Sequence, residues 1–384
     1  MKRSDLVIFL GPSLPAPDVQ RLARCIVLPP ARQGDVWRAL ALRPRVIALV
    51  DGVFESVPSV WHHEILDALD AGVAVFGGAS MGALRAAELS RHGMVGVGRI
   101  FEWYRDGVLQ DDAEVALLHA GPELGFRPLT LPLVNVRRAA EVAVAEGALA
   151  PRQGALLVRA AQRLHYGVRT WRRVVAAARL AGSARARLDV LLARGAPDLK
   201  ADDARATIAA AAAFVAAPAY APPVRAVLRR PSSLVRRHKL TATVSRAGRR
   251  AVANGDVLAA LAAAPGAAAL AEEGLRRTLL AAFARSLGYE VTVADVEGAR
   301  EAWRRALALT PAGFTRFLAE SGLDGADSAR LCEDLALERR LLTGAARVVP
   351  DGPSQDEGLA LGARLAGTWA AESRRIARGR RRLS

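Results

Sequence analysis

Residues 72–89 read GVAVFGGASMGALRAAEL. The first half is a short apolar, β-branched run and the second half has the spacing of an amphipathic helix. Between them lies Gly78-Ala79-Ser80-Met81-Gly82, a G-x-S-x-G pentapeptide. A buried strand that turns through glycines directly into a helix is the repeating unit of a doubly wound parallel sheet. The same spacing also holds serine nucleophiles on a sharp strand-to-helix turn.

Three further runs match the strand half of this unit: DLVIFL (5–10), CIVLP (25–29) and RVIALV (45–50). Their continuous apolar character predicts parallel strands buried on both faces. Helical patterns separate them at Asp18–Arg24, Gly34–Leu42 and Val57–Asp70. Pro58 would sit in the first turn of the last of these. The predicted architecture is a small Rossmann-like α/β domain with a mostly parallel sheet, followed by a mostly α-helical C-terminal region. Strand signals fade after about residue 97, and IFEWYRDG and AEVALLHA read as helices.

The expected organisation is a core at 1–125, a helical region at 126–216 packed on or following it, a proline-marked linker at 217–233, a helical domain at 234–371, and a basic tail at 372–384.

Bulk composition narrows the function. The 384-residue chain carries a net charge of +16, and its only lysines are Lys2, Lys200 and Lys239. The arginine surplus suits acidic partners, but no basic patch interleaved with aromatics points to nucleic acid. Cys25 and Cys332 follow no metal or disulfide spacing. No segment reads as a signal peptide or a good membrane span, so a cytoplasmic protein without membrane or nucleic-acid partners is expected.

Candidate chemistry gathers on three loops after predicted strands: Gly11-Pro12-Ser13, Asp51-Gly52, and Gly78 to Gly82. Ligands of open parallel sheets bind outside the carboxyl ends of the strands. Ser80 has three readings at this point: a nucleophile, a ligand in an anion site at a helix N-terminus, or a helix cap. Ala83 stands where a capping box needs Glu or Gln. As base, His62 is the candidate, with Glu64 or Asp51 to orient it. Backbone N–H groups around Gly78, Ala79, Met81 and Gly82 could hold an oxyanion. Asp111, Asp112, Glu114 and His119 could surround a cation or supply an acid and base, although Asp111 and Glu114 also have capping-box spacing. Arg85 and Glu88 are spaced for an i,i+3 ion pair, with an anion clamp as the alternative role of Arg85.

The stretches FLGPSLP, VIALVDGVFESVPSVWHHEIL, GVAVFGGASMGALRAAELSRHGMVGVGRIFEWYRDG and DDAEVALLHA together resemble the TfuA-like core domain. The resemblance covers about the first third of the chain. It implies an accessory role beside a YcaO-type enzyme in thioamidation of a peptide or protein backbone, without a cofactor. One implied route releases sulfide by hydrolysing the thiocarboxylated C-terminus of a small acidic sulfur carrier. The residues it marks are Gly11, Ser13, Asp51, His62, Glu64, Ser80, Arg85, Glu88, Asp111, Asp112 and His119. Alternatives are a non-catalytic YcaO-binding scaffold and an unrelated serine amidase or peptidase.

Overall fold

The structure, a computed structural model, describes residues 5–54, 57–216, 232–247, 250–323, 325–344, 354–366, 368, 369, 372 and 374. Two compact units divide the chain. The first runs to Val244 and takes in Ala253–Gly255; the second holds Ser245–Val252 and everything from Asp256 on. Residues 217–231 of the expected linker and most of the basic tail lie outside the described residues.

The first unit is built on five parallel strands: β1 (Leu6–Phe9), β2 (Ile26–Leu28), β3 (Val46–Leu49), β4 (Ala74–Gly78) and β5 (Val95–Val97), in the order β2-β1-β3-β4-β5. Phe9 pairs with both Leu28 and Leu49, Leu49 with Gly77, and Gly78 with Val97. The chain steps to one side of β1 and then to the other, so the switch point lies between β1 and β3. The four strands read from the sequence are present, and β5 is additional. It is three residues long and centred on Gly96, too short for a periodicity signal. A Cβ at Gly96 would stand 2.1 Å from the Phe101 ring.

Side chains of β1, β3 and β4 alternate between two cores, as strands covered on both faces require. One core joins Val7, Phe9, Ile47, Leu49 and Val75 to α2 (Asp35–Leu40), α3 (His62–Asp70), α4 (Met81–Leu89) and α5 (Arg99–Arg105). The other joins Leu6, Ile8, Val46, Ala48 and Phe76 to α1 (Ala16–Leu22) and to Ala204, Ile208 and Ala211 of a distant helix. That helix follows α6 (Leu133–Ala145), α7 (Pro151–Gln162), α8 (Trp171–Ala178) and α9 (Gly182–Ala193), and is α10 (Leu199–Ala216). The sheet is therefore closed by a segment about 120 residues downstream of β4. Helices α6 to α9 have their own core, including Leu133, Leu157, Val174 and Leu188.

Two local expectations are corrected. The helix expected over Val57–Asp70 starts at His62, because the residues before it serve tertiary bonds. The Pro58 carbonyl accepts from the Gln33 amide, the Val60 carbonyl accepts from Arg85, and the Trp61 amide donates to Glu64. AEVALLHA forms only a single 3₁₀ turn at Asp112–Glu114. Its remaining backbone is spent elsewhere: the Val115 carbonyl accepts from Lys200, the Leu118 amide donates to Thr130 Oγ1, and the Ala120 amide donates to the Arg127 carbonyl.

In the first unit α11 (Ser233–Ala242) packs on α2. The second unit is mostly helical, with a core that includes Ala281, Ala284, Leu337 and Leu341. No single helix among the described residues is long and apolar enough to cross a membrane, though Asn254–Ala262 and Ala267–Ser286 pass that test as a pair bent by 118°.

Close packing of α4 on β3 depends on Gly82, where a Cβ would lie 1.7 Å from the Leu49 carbonyl oxygen. Gly82→Ala is expected to cost about 3 kcal/mol or more, since backbone must move. Gly182→Ala meets nothing within 4 Å and should stay within about 0.5 kcal/mol. Urea unfolding followed by circular dichroism measures both.

Candidate functional site

The turn between β4 and α4 is strained at one residue. Ala79 has φ +63°, in the left-handed region that disfavours side chains. The Ser80 amide donates to the Gly78 carbonyl at 2.7 Å across it, a tight γ-turn of the rare positive-φ kind. Ser80 is the N-cap of α4 by position, yet its hydroxyl caps nothing. Its backbone carbonyl takes the Ala83 and Leu84 amides, while Oγ lies 3.0 Å from Lys200 Nζ. The capping reading of the Ser80 side chain therefore fails, because the hydroxyl is turned under the helix toward α10.

Lys200 stands in the first turn of α10 and is only 3% exposed. Its Nζ also donates to the Val115 carbonyl at 3.0 Å and lies 3.9 Å from Asp51 Oδ1. Full burial pulls the ammonium below the ordinary lysine range, while the negative charges of Asp51 and Asp198 pull it back up. Helix α10 is held in place from several sides. Asn135 accepts the Lys200 amide and donates to Asp198, which itself accepts the Ala201 amide. Asp203 accepts the Arg99 and Ile100 amides and so caps α5. Next to the turn, a Cβ at Gly78 would lie 2.0 Å from Thr207 Oγ1, so α10 passes directly against it.

Asp51, just after β3, is 1% exposed. Oδ2 accepts the Gly11 and Ser13 amides at 2.8 and 3.0 Å, and Oδ1 accepts the Ser13 hydroxyl at 2.6 Å. The three strand-end loops thus meet: Gly11 and Ser13 hold Asp51, Asp51 faces Lys200, and Lys200 holds Ser80. Sequence reasoning placed these loops on one sheet edge but counted Lys200 only as charge. The signal for it was weak: one of three lysines among 54 basic residues, in a helix whose apolar face reads as ordinary core.

His62 is placed elsewhere. It begins α3, is exposed, and its Nε2 lies 2.8 Å from Glu88 Oε2. Glu88 is eight residues along α4 from Ser80, about 12 Å by helical rise, so the structure sets the His62 ring against Glu88, while Lys200 stands against the Ser80 hydroxyl. Glu88 also pairs with Arg85 at 2.7 Å, the expected i,i+3 pair, and Arg85 Nε donates to the Val60 carbonyl. Glu64 does not orient His62: its carboxylate accepts the Gly34, Val36 and Trp61 amides and ties α2 to α3.

The acidic stretch does not converge on a cation. Asp111 accepts the Ala113 amide, Glu114 forms a two-pronged pair with Arg137 at 2.6 and 2.9 Å, and His119 Nδ1 lies 2.8 Å from the Ala120 carbonyl. Among the described residues no three His, Cys, Asp or Glu side chains are grouped to hold a metal. Asp111 and Asp112 instead line a cleft of about 570 Å³ with Phe54, Met81, Arg85 and Glu88. Met81 follows Ser80 directly, so the cleft abuts the turn.

Residues 51–170 match the family model described as TfuA-like protein, so the chain carries a TfuA-like domain, of a family associated with thioamidation and with YcaO-type partners. The matched range includes Asp51, Ser80 and Val115 and ends before Lys200. No curated protein matches the chain.

Burial pushes the Glu64 carboxyl up to about 7, against the three amides that favour its charged form. Between the ordinary carboxyl range and that value the folded chain therefore binds a proton that the unfolded chain has released. This contribution to stability is full at low pH and is lost as pH rises through about 7. Urea midpoints at pH 5 and 8 should show a wild-type decline that Glu64→Gln flattens.

Proposed function

We infer that the protein, through its TfuA-like domain, is an accessory protein of backbone thioamidation that acts with a YcaO-type enzyme. In this role it releases sulfide from the thiocarboxylated C-terminus of a small acidic sulfur carrier. The observation that carries this reading is the strained turn at Ala79, which holds a buried serine hydroxyl against Lys200 instead of spending it on a helix cap. Strained backbone persists where the surrounding structure over-determines it, and such sites cluster at active centres. Ser80 is the nucleophile, and its Oγ attacks the acyl carbon of the thiocarboxyl group. The Met81 amide, first in α4 and without an intrahelical acceptor, faces the developing oxyanion and contributes as one such donor does, about 100-fold or more.

Two further features support the assignment. Cleft residues Arg85, Glu88, Asp111 and Asp112 offer both signs of charge to an extended carrier C-terminus beside Met81. The arginine-rich composition favours approach of an acidic carrier. The direct test is sulfide release from a thiocarboxylated carrier, with mass spectrometry of the carrier product. Ser80→Ala should lower the rate by at least about 1,000-fold. A variant that releases sulfide at the wild-type rate removes the nucleophile, and a wild-type protein that activates a YcaO-type enzyme without hydrolysing the carrier makes it a scaffold.

A further inference from the structure

We propose that the outer face of α7 and the apolar groove beside it form the docking surface for an acidic protein, an inference that takes the sulfur carrier of the reading above as that protein. Charge singles this face out. Between Glu146 and Asp189 the chain has no Asp or Glu but nine arginines, in a run that holds α7, α8 and the start of α9. Residues 1–125, which supply the sheet, hold more carboxylates than basic side chains. The positive charge is therefore concentrated rather than spread over the chain.

On α7 the arginines are also in line. Arg152, Leu156, Arg159 and the C-cap residue Arg163 follow at spacings of four, three and four, so they form one stripe along the helix. All four are exposed, while Gly154, Leu157, Ala160 and Ala161 are buried on the other side. Arg159 and Arg163 stand one turn apart with like charge, which disfavours the helix on its own. In other helices exposed arginines stand one turn from a carboxylate, as in Arg21–Asp18, Arg38–Asp35, Arg205–Asp202 and Arg276–Glu272. Helix α7 contains no carboxylate, and among the described residues no salt bridge reaches Arg152, Arg159 or Arg163. An acidic surface set against this stripe supplies the charge complementarity that α7 lacks by itself.

Beside the stripe runs a groove of about 540 Å³ across α5, α6 and α7, with Trp103, Val108, Ala140, Val144, Ala155 and Val158 in its lining. Ala155 and Val158 precede Leu156 and Arg159 by one residue each, so groove and stripe are neighbouring strips of one helix. Val108 is 60% exposed and Leu156 45%. Apolar side chains bordered by arginines have the make-up of a protein interface, an apolar centre within a charged rim. A phosphate backbone would match the arginines but leave Val108 and Leu156 unburied, so the surface fits a folded protein better than nucleic acid. The groove also leads to the candidate site. Val108 lines the groove and Gln110 lines the cleft, two residues and at most about 7 Å apart along the chain. A carrier body held in the groove thus has the cleft beside it for its extended C-terminus.

The test uses the full chain and a purified small acidic sulfur carrier in its ordinary carboxylate form, labelled with a fluorophore. Anisotropy gives Kd at low and high NaCl, about 50 and about 300 mM, and thermal melting confirms folding of each variant. Arg152→Glu combined with Arg159→Glu and Arg163→Glu is expected to raise Kd at least about tenfold at low salt and to flatten its salt dependence. Val108→Asn changes no charge and should raise Kd at least about fivefold with the salt dependence intact. Arg24→Glu combined with Arg316→Glu and Arg339→Glu alters net charge equally at exposed positions outside α7 and should stay within about threefold. A folded α7 triple variant that binds like wild type overturns the proposal, as does a control triple that weakens binding as much. A single-stranded RNA that wild type binds more tightly than the carrier, and that the α7 triple releases, overturns it in favour of nucleic acid. Binding through α7 of a thiocarboxylated carrier that is never hydrolysed keeps the docking surface and removes the hydrolysis. Hydrolysis that the α7 triple performs at the wild-type kcat/KM keeps the hydrolysis and removes the docking surface.

Discussion

The burial of the Lys200 amine at the carboxyl edge of the sheet is the constraint from which the arrangement of the first unit follows. Moving an ammonium out of water costs several kcal/mol, and removing one member of a buried pair leaves the other uncompensated. The fold answers that cost with a carbonyl from Val115, a hydroxyl from Ser80 and the field of Asp51. Those groups come from three separate segments of chain, and Lys200 itself from a fourth. Holding them in place requires the Gly11–Ser13 loop to wrap Asp51, the Asn135–Asp198 contact to fix the start of α10, and the Asp203 carboxylate to tie α10 to α5.

The turn at Ala79 fits into the same arrangement. Its positive φ directs Ser80 away from the role its position in α4 suggests. Thr207 on α10 leaves no room for a side chain at Gly78, and the Leu49 carbonyl leaves none at Gly82. The G-x-S-x-G spacing is therefore required by packing on two sides as well as by chemistry. The topological switch between β1 and β3 places Ser13 and Asp51 next to each other, and the β3–β4 pairing brings Ser80 beside them. A cleft bounded by Met81, Arg85 and Asp112 opens on the outer side of that turn.

Much of this was legible in sequence because it depends on local pattern. Four strands announce themselves as apolar runs buried on both faces, and Ser80 announces itself by its glycines. The errors have a common cause. AEVALLHA has helical spacing, but its backbone groups are claimed by Lys200, Thr130 and Arg127. The start of α3 moves to His62 because Pro58 and Val60 carbonyls are claimed by Gln33 and Arg85. His62 and Glu64, adjacent to a functional stretch in sequence, are drawn to Glu88 and to the amides of Gly34 and Val36. Partners distant in sequence outcompete local propensity wherever a buried polar group must be satisfied.

The sequence by itself determined the class of the fold, the parallel character of its sheet, the strand-to-helix turn at Ser80 and the resemblance to the TfuA-like core domain. These rest on periodicity, on glycine spacing and on ordered matches, all of which are properties of contiguous residues. Only the tertiary structure decided which group stands against the serine hydroxyl. Lys200 lies 120 positions from Ser80 and beyond the matched range, and nothing local distinguishes it from a surface lysine. Its role follows from α10 folding back to close the second face of the sheet, where apolar burial fixes the helix and carries one amine into the site.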